Sequence, residues 1–153
     1  MKKLILFVSA VVLTVSLNSC SKSDSSSSVG GKITFNIGSQ TKTFNTVVVN
    51  EEVFNGGTAN EYTKLTVLGT TGTSSTESVT LVLNKIDLGA NAISYFEYYN
   101  GVDPFGDQNG TFHTNVTTNN SSKKLIGTFS GTINGPANGS PLGITNGSFN
   151  IQY

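Results

Sequence analysis

Lys32-Ile33-Thr34-Phe35-Asn36-Ile37 alternates polar and apolar residues, and after Gly38-Ser39-Gln40 the chain resumes as TKTFNTVVVN over 41–50. Period-two alternation marks a half-buried strand, and two such runs across a short Gly-containing loop predict a β-hairpin. The only stretch with any helical look is 47–54. Three consecutive valines argue against it, because β-branched side chains lose χ1 freedom in a helix. The same reading extends outward. Strands are expected at 62–68 (YTKLTVL), 78–84 (SVTLVLN, with Val79, Leu81 and Leu83 on one face) and 92–99 (AISYFEYY). Others are expected at 111–118, 124–133 and 148–153, with a short one near 143–145. Gly/Asn/Ser/Thr loops separate them, and 87–90 and 100–110 read as turn and loop. This predicts an all-β domain: an antiparallel meander of about 8–9 short strands, folded as a β-sandwich or a flattened up-and-down barrel.

Composition narrows the function. The 153 residues hold nine lysines and no arginine against nine acids, one His, one Cys and no Trp. Asn, Gly, Ser and Thr fill 73 positions. A neutral chain without arginine lacks the basic face that nucleic-acid binding needs. One Cys and one His cannot build a closed Cys/His zinc site or a disulfide framework. No metal and no cofactor is expected.

The N-terminus reads as an address. Met1-Lys2-Lys3 precedes the uncharged run 4–17 (LILFVSAVVLTVSL), then Asn18-Ser19-Cys20. A basic start, a short apolar core and small residues before a cleavage point make a secretory signal, and the run is short for a membrane span. Leu17-Asn18-Ser19-Cys20 resembles the lipobox of bacterial lipoproteins. The resemblance implies cleavage after Ser19 and a lipid on the Cys20 thiol, which anchors the chain to a membrane of the cell envelope. Residues 1–19 are then the signal peptide, 20–31 the lipidated Cys with a Ser-rich tether, and 32–153 a single β domain. Eight residues, SKSDSSSS over 21–28, carry no apolar side chain and are expected to form a flexible spacer. Fully extended, 21–31 would reach about 35–40 Å. The CSKSD start resembles that of Bacteroidota lipoproteins, and the resemblance implies an anchor in the outer membrane, on either its periplasmic or its surface face. Farther on, LIGTFSG (125–131) and ITNGSFN (144–150) resemble the closing hairpin of an uncharacterised all-β lipoprotein group of the same bacteria. That resemblance implies a fold and no activity. On the residues themselves, the final strand is expected to pair with 126–133, and Asn146-Gly147 suits a turn or bulge.

Chemistry is sparse. His113 is the only histidine, between Phe112 and Thr114, and there is no G-x-S-x-G elbow. No catalytic residue is assigned. Glu97, Asp103 and Asp107 are the carboxylates that a glycan hydrolase would use, and Asp103, Asp107 and Asn109 lack calcium-loop spacing. The matches to N-glycosylation acceptors at Asn109 and Asn115 are the chance product of so many Asn and Thr. The densest aromatic cluster spans 95–112. Tyr95, Tyr99 and Phe105 are the residues expected to touch a ligand, a glycan or a protein partner, with Tyr95, Glu97 and Tyr99 on one strand face and Phe96 and Tyr98 on the other. The expected role is thus a non-enzymatic, membrane-anchored binding or accessory domain, with a hydrolase of envelope or extracellular glycans as the alternative.

Overall fold

The computed structural model describes residues 25–72, 76–107, 111–136 and 139–153, with side chains from residue 30 onward. The expected signal peptide, Cys20 and the start of the expected tether lie outside the described residues. Eleven strands and no helix make up the described chain: β1 (Ser25–Ile37), β2 (Gln40–Phe44), β3 (Thr46–Phe54), β4 (Tyr62–Thr70), β5 (Ser78–Asn84), β6 (Gly89–Ala90), β7 (Ile93–Tyr99), β8 (Pro104–Gly106), β9 (His113–Asn119), β10 (Lys124–Ile133) and β11 (Leu142–Gln152). All pairings are antiparallel, and they form two sheets facing each other in a sandwich.

β1 belongs to both sheets. Its first part, from Ser25↔Glu51 to Val29↔Val47, pairs with β3 and leads through β4, β5, β7 and β8. Its second part pairs with β11 from Gly30↔Gln152 to Ile37↔Ile144 and leads through β10 and β9 to β6. Strands that switch sheets at a bend are how two packed layers share a corner. The expected hairpin is present: Ile37 pairs with Gln40, and Gly38 at φ 58° takes the first central position, as a type II′ turn requires. At the opposite side of the sandwich, Gly106 and Asn134 exchange two backbone hydrogen bonds of 2.9 and 2.8 Å, tying the β8 edge to the end of β10.

The alternating strands deliver one core. Ile33, Phe35, Val79, Leu81, Leu83, Phe129, Phe149 and Ile151 are all buried. Phe35 sits at its centre, with ring centroids of Phe44, Tyr98 and Phe129 at 5.5, 5.4 and 5.7 Å. Such offset and edge-on ring pairs stabilise beyond the area they bury.

Five elements differ from the sequence expectation. The run 41–50, read as one strand, breaks at Asn45 into β2, which pairs with one part of β1, and β3, which pairs with the other. The tether was expected to run to residue 31, whereas β1 begins at Ser25. Its serines need no apolar partner because their backbone groups pair with β3. The turn at 87–90 contains β6, whose Gly89 and Ala90 pair with Val116 and Asn115. The loop at 100–110 contains β8, paired with β7. The short strand near 143–145 and the last strand are one element, β11, bulged around Asn146 (φ 52°) where Phe129↔Gly147 gives way to Gly131↔Ile144.

Candidate ligand groove

β7 forms the base of the aromatic region. Phe96 and Tyr98 point into the core and are 3% and 2% exposed, while Tyr95, Glu97 and Tyr99 face outward. A bulge between β5 and β7 inserts Ser94, whose hydroxyl donates to the Val82 carbonyl at 3.0 Å. Tyr95 is 48% exposed, and its hydroxyl donates to Glu97 Oε2 at 2.6 Å. That hydrogen bond, with burial and the charge of Glu97, raises the Tyr95 phenol above its ordinary value. The pair therefore presents a fixed ring beside an acceptor-rich carboxylate.

Shallow depressions flank this pair. One of about 240 Å³ is lined by Asn91, Ser94, Tyr95, Asp107, His113 and Thr114 among others. A second of about 180 Å³, on the Glu97 side, shares Tyr95, Phe96 and Asp107 and adds Pro104 and Pro136. A third of about 390 Å³ shares His113 and Thr114 and continues across β9, β10 and β11 past Thr128 and Ser130 to Asn146. Shared residues set the three depressions side by side, from β7 and β8 of one sheet onto β9, β10 and β11 of the other, with a lining of mixed polar and apolar character. Thr114 is 5% exposed, and its buried hydroxyl has no hydrogen-bond partner among the described residues.

The sequence-expected residues divide. Tyr95 lies at the groove, and Tyr99 is half-buried on the same strand face. Phe105 does not fit a ligand contact. β8 sets it opposite Tyr98, their ring centroids are 6.4 Å apart, and it is only 6% exposed. Its ring is core because a three-residue strand turned its middle side chain inward. Glu97 and Asp107 line the same depression, whereas Asp103 lies in the turn that Asn100 closes by accepting from the Val102 and Asp103 amides at 2.8 Å each. His113 opens β9 and is exposed, and Ser94, which lines its depression, spends its hydroxyl on Val82. Among the described residues no group of three or more His, Cys, Asp or Glu is placed to hold a metal ion.

Asn91, Ser94 and Thr114 were not singled out from the sequence. Ser94 enters through a bulge, which alternation does not reveal. Asn91 carried the one usable signal, since asparagine tolerates the φ of 57° that it adopts. Comparison with family models, curated proteins and solved structures finds no match for this chain.

Proposed function

We propose that this chain is a lipid-anchored lipoprotein of the bacterial outer membrane whose small β domain binds a glycan or protein partner without catalysis. The observation that carries the anchoring is Leu17-Asn18-Ser19-Cys20 at the end of an uncharged apolar run, with Cys20 the sole cysteine. A thiolate is the side chain best suited to accept a diacylglycerol, and two or more acyl chains hold a protein where one binds only marginally. Binding is supported by the Tyr95–Glu97 pair on a groove of amides, hydroxyls and ring edge, the mixture that sugar rings and peptide backbones recognise.

The anchoring has a direct test. Cys20→Ala should abolish incorporation of labelled palmitate and release the protein from the membrane fraction. Labelling equal to wild type would overturn the reading. For the groove, Tyr95→Ala should lose retention on a glycan or envelope-peptide array that wild type shows. Equal retention by both proteins removes Tyr95 from the site.

One observation favours the hydrolase alternative: Glu97 and Asp107 share a depression. Wild-type protein is expected to release no reducing ends from envelope polysaccharide. Release that disappears in Glu97→Gln would establish the alternative instead.

A further inference from the structure

β3 and β4 run on past the point where β1 begins. Ser25 pairs with Glu51, and the pairs Glu52↔Lys64, Val53↔Thr63 and Phe54↔Tyr62 extend beyond it. There the Phe54 and Tyr62 rings stack at 5.1 Å with an interplanar angle of 9°. The turn after β5 lies alongside, its Lys85 amide donating to the Thr63 carbonyl at 2.7 Å. Ile86 in this turn has φ 72° and is 71% exposed. A β-branched residue in the left-handed region is strained, and glycine would adopt it freely. The fold thus holds an isoleucine side chain out in water at a backbone cost that packing does not explain. Seven large hydrophobic residues are exposed among the described residues; Val53 and Tyr62 stand on opposite faces of the last rungs of β3 and β4, Ile86 is in the turn beside them, and Leu88 follows two residues later. Tyr62 and Ile86 line a cleft of about 300 Å³.

The chain enters the domain at this same end. Cys20 precedes Ser25 by five residues, which span at most about 17 Å even when extended. An acyl group on Cys20 is therefore held close to the rim. We propose that the rim of Val53, Tyr62, Ile86 and Leu88 rests in the headgroup boundary of the anchoring bilayer and fixes the orientation of the domain on the membrane. The inference rests on the lipid-anchor reading above. The chemistry suits a lipid surface: aliphatic tips with a tyrosine, whose ring is apolar and whose hydroxyl is wet. Three lysines at this end are matched by carboxylates, Lys64 with Glu52 at 3.5 Å, and Lys85 and Lys123 with Glu51 at 2.8 and 3.2 Å, while Lys124 at the start of β10 is exposed. The contact is therefore mainly apolar, and most of its lysine charge is already neutralised within the domain. This orientation directs the opposite end of the sandwich, with Val102, away from the membrane.

The chain has no tryptophan, so one introduced residue reports alone. Ile86→Trp, Leu88→Trp and Val102→Trp are made in the full-length lipidated protein and reconstituted into phosphatidylcholine vesicles with and without brominated acyl chains. All three should float with the vesicles. Ile86→Trp and Leu88→Trp should shift their emission to the blue and be quenched by bromine, equally in low and high salt, while Val102→Trp shows neither effect. Flotation with all three residues equally unquenched overturns the orientation and leaves the anchor standing. Failure to float, with an unmodified Cys20 by mass spectrometry, overturns both.

Discussion

Tyr153 shows how a single buried phenol sets a pH limit. It is 9% exposed, and burial together with the Glu51 carboxylate pushes its pKa up to about 12 from an ordinary 10.0. The folded state thus keeps a proton that the unfolded chain releases. Stability from this group is complete below about pH 10 and is lost as pH rises toward about 12. Two units correspond to roughly 2–3 kcal/mol. Tyr153→Phe should unfold at or above the wild-type urea concentration at pH 7, since it removes a buried hydroxyl that has no partner among the described residues. Above pH 10 the variant should outlast wild type; parallel alkaline unfolding curves would refute this. Glu51 acts at the other end of the scale. Burial opposes its charge, but Lys85 and Lys123 outweigh burial and lower its pKa below the ordinary 4.5. Its contribution is present above that value and fades as pH falls through the lowered one.

Among elements, the β10–β11 hairpin was the most legible in the sequence. Phe129 and Ile133 on one strand, and Phe149, Ile151 and Tyr153 on the other, alternate with polar residues, and all five are buried. β6 and β8 were illegible for a physical reason: two or three residues cannot display a period of two. Phe105 was misplaced with β8, because nothing in VDPFGDQNG says which side of a three-residue strand faces in. The serines of β1 were hidden differently, since a strand held by its backbone ladder leaves no apolar trace. The groove was half legible: Tyr95 and Glu97 follow from alternation, whereas Asp107 and Thr114 join them only through the packing of loop and sheet. Within β10, Gly131 adopts φ 134° and lies against Thr111 so closely that an added Cβ would meet its carbonyl oxygen. Gly131→Ala should cost about 3 kcal/mol through backbone strain and overpacking together. A shift in the thermal midpoint too small to measure would show that β10 yields there.

For the molecule as a whole, the corner strand decides where the domain starts. A truncated chain beginning at Ser25 should match the full-length protein in urea. One beginning at Gly30 loses five residue pairs with β3, at about 1 kcal/mol per hydrogen bond, and bares an edge that invites association. Losses of roughly 3–5 kcal/mol, or insolubility, are expected by circular dichroism and sedimentation; equal stability of the two would return those serines to the tether. The same strand also orders events in time. Residues Gly30 to Ile37 find their outer neighbours only in β11, at the far end of the chain. The earliest strand made must wait for the latest, so native closure cannot finish before β11 has been made. Such long-range pairing folds slowly, on the order of milliseconds to seconds.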